Sequence, residues 1–345
     1  MRALLLPLSY IYGAGVSLRN LLFDIGVLKT RSVGIPVISV GNISVGGTGK
    51  TPFVELLVRR LTQRGRKVAV VSRGYRRESS GTVVVSNGNV RCAEADAAGD
   101  EPAQMAEKLA GVVVVVDELR VRGAQYARDH FGVDIIVLDD GFQHRYLKRD
   151  LDIVVVSAAE LVSHNWLVPA GNRRESLGAV RRADLLVVSR VASKDHWLSL
   201  EGPLHARFHR PAVGVRVRPS GFKKAVSGFS LDLKSLSGKR VVAFSGIGTP
   251  EGFEETMRSL QLEVVKHFRF PDHHRFSVND LKAVKMTFHG SGADYLVTTE
   301  KDSVRLRGST SRAREFMEQT PLFYVEIEHE IIGGEEHLTK ALERI

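Results

Sequence analysis

Cysteine is nearly absent: Cys92 is the only one in 345 residues. One thiol makes no internal disulfide and no cysteine-based metal cluster, which suits a reducing cytoplasm. No apolar run reaches the roughly 20 residues that a spanning helix needs. The best candidate, residues 3–18, carries no charge but is interrupted by Pro7, Gly13 and Gly15. There is no short-period repeat, no low-complexity tract, no zinc-finger or RNA-binding signature and no dominant Lys/Arg block. Acidic residues are in deficit, 39 Asp and Glu against 49 Lys and Arg, for a formal charge of +10. That balance predicts an anionic partner: nucleic acid, an anionic membrane surface or a phosphorylated substrate. The missing signatures weaken the nucleic-acid option. At 345 residues, 43% hydrophobic and 26% charged, the chain can bury a sizeable core in about two domains.

What is present is organised around residues 44–51, Ser-Val-Gly-Gly-Thr-Gly-Lys-Thr. An apolar run at 36–40 precedes it and an amphipathic run at 53–61 follows, so the order is strand, glycine-rich loop, helix. Ser44, Val45, Gly46, Gly47, Thr48 and Gly49 would cradle a phosphate chain. The three glycines let backbone N–H groups turn inward, and the helix adds its positive N-terminal dipole. Lys50 would reach the β- and γ-phosphates, and the Thr51 hydroxyl would bind Mg²⁺. The usual pattern starts with Gly where Ser44 stands here, a mild departure.

Strand-like runs then recur at 68–71, 82–86, 112–116, 135–138, 153–156 and 185–188, with helical patterns at 101–109 and 121–130. The alternation predicts an α/β fold, a P-loop NTPase-like doubly wound sheet of mostly parallel strands, with 82–86 paired as a hairpin strand. Ligands sit beyond the carboxyl ends of such strands, so Arg73, Asp117, Asp139 and Asp140 would face one cleft. The pattern loosens over 200–239, where 207–218 alternates weakly with Pro211 and Pro219 as punctuation, and reads as a connector, a two-stranded β-ribbon. A second, smaller α/β domain follows, with strands at 241–244, 264–270, 295–299 and 322–327. Pro250 opens one helix and Ser277 caps another. The expected division is 1–30 an N-terminal membrane-associated helix, 31–200 the core, 201–239 the connector and 240–345 the C-terminal domain.

The N-terminal stretch has two readings. It is an interfacial helix with Leu4, Leu5, Leu6, Leu8, Ile11 and Leu18 dipping into a bilayer, aided by Arg19, Lys29 and Arg31. Or it is a first helix packed on the protein's own core. A secretory signal fits the basic start, but no small-x-small cleavage site follows.

Leu138-Asp139-Asp140 after an apolar strand has the form of a Walker B motif, a carboxylate at a strand end that holds Mg²⁺. Adjacent residues on a strand point to opposite faces, so one of the two lies closer to the metal. Asp100, in Gly-Asp-Glu-Pro before a helix, either caps that helix or faces the cleft as a base or metal ligand. Asp272-His273-His274 could ligate a metal, could supply a His base, or could be a surface cluster. Arg73, Arg120, Arg173 and Arg174 are candidates for clamping phosphate charge. A guanine-reading Asn-Lys-x-Asp is missing; residues 299–302, Thr-Glu-Lys-Asp, lack both the Asn and the spacer, which disfavours GTP. A P-loop NTPase of another kind is the main alternative, and a basic nucleic-acid-binding module a second one.

Seven segments occur in a telling order: Gly-Asn-Ile-Ser-Val-Gly-Gly-Thr-Gly-Lys-Thr-Pro (41–52), Ser-Arg-Gly-Tyr (72–75), Gly-Asp-Glu-Pro (99–102), Leu-Asp-Asp-Gly-Phe-Gln-His (138–144), Pro-Ala-Gly-Asn-Arg-Arg-Glu (169–175), Phe-Pro-Asp-His-His (270–274) and Thr-Thr-Glu-Lys-Asp (298–302). Together they resemble the tetraacyldisaccharide 4'-kinase family of lipid A biosynthesis, over nearly the whole chain. Arg173 is a small departure, since members often have Leu there. The resemblance implies a monomeric enzyme on the cytoplasmic face of the inner membrane. It would move the γ-phosphate of ATP to the 4'-hydroxyl of a tetraacylated glucosamine disaccharide 1-phosphate, with no nucleic-acid partner. By motif, it implies that Lys50 and Thr51 serve nucleotide and Mg²⁺, that Asp139, Asp140 and Glu175 lie on the metal side, and that Arg73 and Arg120 lie near the phosphates. Asp100 and His273 would form the dyad that activates the sugar hydroxyl.

Overall fold

The computed structural model describes residues 2–163, 165–308 and 311–345. Its strands are β1 (Val37–Asn42), β2 (Val68–Ser72), β3 (Val83–Asn87), β4 (Val113–Val116), β5 (Ile135–Asp139), β6 (Leu151–Ser157), β7 (Leu185–Ser189), β8 (Ala212–Lys224), β9 (Ser230–Leu231), β10 (Arg240–Ser245), β11 (Glu263–Arg269), β12 (Tyr295–Thr299) and β13 (Leu322–Gly333). They form one sheet in the order β11-β10-β12-β13-β8-β7-β6-β1-β5-β2-β4-β3, with β9 paired to β8. All neighbours are parallel except β3 with β4, β8 with β13 and β8 with β9. The expected mixed α/β architecture with a mostly parallel sheet is therefore present.

Strands β1, β2 and β4 to β7 are buried at every position. Their unbroken Val/Ile/Leu runs follow from this, because helices cover both faces. On one face, Phe53, Val54, Leu57, Val58 and Leu61 of helix Lys50–Gln63 pack with Ile38, Val70 and Val137. On the other, Ala124 and Ala127 of helix Arg120–Phe131 pack with Val71, Ile136 and Leu138.

Three local expectations need correction. The ribbon is not contained within 201–239: β8 pairs antiparallel with β13, from Lys224↔Phe323 to Val215↔Ile331. Helix Lys194–Phe208 runs into the supposed connector, with Ser193 as N-cap; Gly202 and Pro203 within it hide its period. The run at 82–86 becomes β3, which closes the sheet edge against β4.

Helix Leu6–Asp24 buries only Ser9 and Phe23. Its contact with the rest is one narrow side. Ser9 Oγ donates to Leu167 O and accepts from Ala170 N, Gly13 lies under Leu167, and Phe23 meets Tyr146 edge-on. Leu8, Ile11 and Leu18 are 53%, 70% and 57% exposed, so the apolar stripe is not spent on the protein's own core. Among the described residues no helix is long and apolar enough to cross a membrane.

Candidate active site

The site is built where β1 and β5 end. After β1 the chain turns through the glycine-rich loop. Gly49, at φ 82°, is the N-cap of helix Lys50–Gln63. Its left-handed backbone favours glycine, and a Cβ there would lie 3.2 Å from the His329 ring. The loop is braced from below: Ser189 Oγ donates to Thr48 O at 2.6 Å, and Arg190 Nη2 donates to Gly47 O at 2.7 Å. Val45 N donates to Asn172 O and Arg174 N to Ile43 O. The 169–175 segment thus pairs with the loop, and Ser44 bridges to Arg173.

Lys50 reaches across the loop. Its ammonium donates to Asn42 Oδ1 at 3.2 Å and is in direct contact with Asp140 Oδ1. Asn42 in turn donates to Thr48 Oγ1 at 3.0 Å. The two aspartates after β5 part company, as adjacent strand residues must. Asp139 ends the strand, buried, and accepts from Ser72 Oγ at 3.0 Å. Asp140 takes a left-handed backbone, φ 53°, and turns to Lys50 and to Arg174 Nη1 at 2.9 Å.

Their electrostatics diverge accordingly. Burial would raise the Asp140 carboxyl, but Lys50 and Arg174 overcome it and hold the group well below the usual carboxylate range. Asp139 has no such cation in contact; burial, with the charge of Glu101, pushes it up to about 6. Its Oδ1 is buried without a hydrogen-bond partner. Thr51 is buried in the first turn of the helix.

Arg120 is 5% exposed, with its Nε unpartnered. Burial lowers its pKa, Asp140 and Asp139 oppose this, and Arg73 adds to it. Arg73 stands exposed just beyond β2. Glu175 lies against the N-terminal helix. Its carboxylate accepts from Arg182 at 2.9 and 3.1 Å, Asn20 at 2.9 Å and Gln143 at 3.0 Å.

A second cluster forms at the start of helix Asp100–Lys108. Gly99 is the N-cap and Asp100 the first helical residue, so Asp100 does not cap the helix. Its Oδ2 lies 2.9 Å from His273 Nδ1 and accepts from Arg305 Nε at 2.6 Å. Burial would raise Asp100, but His273 and Arg305 bring it below the usual range. Next in the chain, Glu101 contacts Lys301. Lys301, Lys50 and Asp140 are among the charges that set its pKa. Helix Asp100–Lys108 therefore presents one carboxylate to His273 and the next towards the phosphate loop.

Some sequence candidates fall elsewhere. Asp117 does not face an open cleft: it is buried and held by Thr82 Oγ1, Leu119 N and the Arg122 guanidinium. Arg173 donates to the carbonyls of Glu160, Ser163 and Asn165, away from the loop. The two adjacent histidines diverge, with His274 bonded to Asp280 at 2.9 Å, so they do not form one metal site. Asn42 and Arg305 went unnoticed in the sequence. Asn42 lies inside the 41–52 segment, while a lone Arg after 298–302 carries no signal.

A glycine-rich loop with a lysine at the start of its helix, and a carboxylate–imidazole pair one residue from a carboxylate that feels that lysine, are the kinds of group phosphoryl transfer to a hydroxyl uses. The class that fold and site define is an α/β kinase. A model of the family "Tetraacyldisaccharide-1-P 4'-kinase" matches residues 1–345. A tetraacyldisaccharide 4'-kinase of Anaeromyxobacter sp. (strain Fw109-5) is 42% identical over 337 residues, 96% of this chain and 88% of that one. The Pelobacter propionicus protein of the same name is 38% identical over 99% and 92%. The crystal structure of LpxK from Aquifex aeolicus in complex with ATP superposes with a TM-score of 0.81 at 34% identity, covering 99% and 98%. The chain belongs to the tetraacyldisaccharide 4'-kinase family.

Proposed function

We propose that this chain transfers the γ-phosphate of ATP to the 4'-hydroxyl of a tetraacylated glucosamine disaccharide 1-phosphate, giving lipid IVA. The observation that carries the reading is the pairing of Asp100 with His273, next in the chain to Glu101, which feels the charge of Lys50. With Asp100 ionised, Nδ1 carries a proton towards it and Nε2 is left as the acceptor. The hydroxyl proton passes to Nε2 as its oxygen bonds to phosphorus, and the bond from phosphorus to the ADP oxygen breaks. Residues 44–51 bind the phosphate chain, and Lys50 offsets its charge. Arg120, with a free buried donor, and Arg73 would meet the same phosphates.

The donor set fits a divalent cation. Asp139 offers a buried oxygen with no partner, and the Thr51 hydroxyl is the natural second ligand. Mg²⁺ bound there would neutralise charge on the phosphates. Asp140 and Glu175 are already committed to Lys50, Arg174 and Arg182, and we assign both to ordering this side of the site.

The exposed stripe of helix Leu6–Asp24 supports a peripheral seat on the inner membrane's cytoplasmic face. An acylated, phosphorylated substrate accounts for both that stripe and the +10 charge. The test is transfer from γ-labelled ATP to the lipid disaccharide in detergent micelles with Mg²⁺. Label on the lipid, lost in His273→Ala, is the expected result. Free phosphate without labelled lipid would point to an NTPase of another kind.

A further inference from the structure

In the segment Glu300-Lys301-Asp302 all three side chains are buried or engaged. Glu300 pairs with Lys108 at 3.0 Å and Lys301 with Glu101. Asp302 is wholly buried. Its Oδ2 accepts from Gly246 N at 3.0 Å and Thr299 Oγ1 at 2.6 Å, and its Oδ1 from Arg305 Nη1 at 2.7 Å. A carboxylate gripped at both oxygens cannot turn, so it fixes the guanidinium that it holds.

Arg305 spends three guanidinium N–H groups on this cluster. Nη1 also donates to Gly246 O at 2.7 Å, Nε donates to Asp100 Oδ2 at 2.6 Å, and Nη2 lies 3.3 Å from His273 Nδ1. Gly246 is the common anchor, since its carbonyl also accepts from His273 N at 3.1 Å. His273 itself sits at φ 59°, a conformation unfavourable for a non-glycine residue that persists only when the surroundings impose it.

We infer that Arg305, locked by Asp302, is a positioning residue for the Asp100–His273 pair, setting both the orientation of the imidazole and which of its nitrogens is free to accept a proton. The inference rests on the base reading given above. A guanidinium does not give up its proton. It keeps Asp100 ionised, and an ionised Asp100 oxygen requires the hydrogen of Nδ1, which leaves Nε2 bare. Its charge also offsets that of Asp100. The other groups facing His273 are Asp272, whose Oδ2 is 4.0 Å from Nε2, and the Tyr75 ring, with centroids 5.6 Å apart. Neither supplies a compensating cation.

Arg305→Gln removes the charge, and Arg305→Lys keeps it without the fork. The measurements are the pH–rate profile at saturating ATP and lipid, and the ¹⁵N titration of the His273 ring, assigned by difference from His273→Gln. For Arg305→Gln we expect kcat to fall by up to about tenfold on the acid limb, recovering at higher pH because that limb moves up by about one pH unit. The ATP KM should stay within about twofold, since the phosphate loop is untouched. The His273 midpoint should rise with the acid limb, and Lys should restore part of both. Should Gln prevent folding, Lys carries the test, with a smaller shift of the same sign. A loss equal at all pH values, or a His273 midpoint that does not move, overturns the inference. If His273→Gln transfers phosphate at the wild-type rate, it is the base reading that falls. The ¹⁵N midpoint of Arg305→Gln then decides the positioning claim alone, upholding it if raised and overturning it if unchanged.

Discussion

His273 and Asp100 meet at 2.9 Å although 173 positions separate them in sequence. Each arrives from a different stretch of the sheet, Asp100 from the helix before β4 and His273 from the turn after β11. A contact that both stretches must be folded to make is a sensitive reporter of the active arrangement.

Asp100→Ala should lower kcat by about 10²–10⁴-fold, the usual worth of a general base, because the His273 base loses the carboxylate that sets its tautomer. ATP affinity should barely change, because Asp100 touches His273 and Arg305 and no residue of the phosphate loop. Single-turnover transfer and equilibrium ATP binding separate the two. Lost ATP binding with normal turnover of the bound enzyme would remove Asp100 from the chemistry.

Lys50→Met should cost on the order of 10²-fold or more in kcat/KM. It leaves Asp140 with Arg174 as its one charged contact. ATP titration calorimetry should show weaker binding, and lipid binding should be unchanged. Equal loss of both would indicate a collapsed site rather than a missing cation.

Glu300 gives a pH prediction. Burial, with Glu55 sharing the same Lys108, pushes its carboxyl up to about 7 from an ordinary 4.5. The folded state thus holds a proton that the unfolded chain has released. The associated stability is fully present below pH 4.5 and is lost as pH rises to about 7. Glu300→Gln should lose less than the wild type between pH 5 and 8, by on the order of 1–3 kcal/mol. Thermal melts across that range decide it, and parallel curves would refute the assignment.

Replacing Leu8, Ile11 and Leu18 together by Ser should release the protein from anionic vesicles. Full burial of each is worth roughly 1.5–3 kcal/mol, so even partial insertion predicts a loss of about tenfold or more in partitioning. All three are exposed, so the melting temperature should hold. Unchanged vesicle binding would leave the stripe without a role.

Most of the sheet was legible because strands buried on both faces must be continuously apolar, as 112–116 and 135–138 are. The glycine-rich loop was legible for a similar reason: the turn from β1 into the next helix passes through Gly49 at φ 82°, which favours glycine. What was not legible depends on partners far along the chain. Nothing local to 207–218 says that its neighbour is β13, and Gly202-Pro203 disguised a helix. Glu175 reads as an acidic residue in a motif; only the folded chain shows Arg182, Asn20 and Gln143 around it. Asp117 ends a strand as Asp139 does, and only the presence of Arg122 makes it structural.

The seam between β8 and β13 also sets an order in time. During synthesis β1, the glycine-rich loop and helix Lys50–Gln63 emerge early. Yet His329, whose ring backs Gly49, and Leu338 and Leu342, which share a core with Phe53 and Leu57, are made long after them. The nascent loop must wait, with one flank of its helix bare, for a strand that pairs Ile331 with Val215. A loop backed on both flanks is thereby tied to the arrival of β13, and until then the apolar face of helix Lys50–Gln63 is only partly covered.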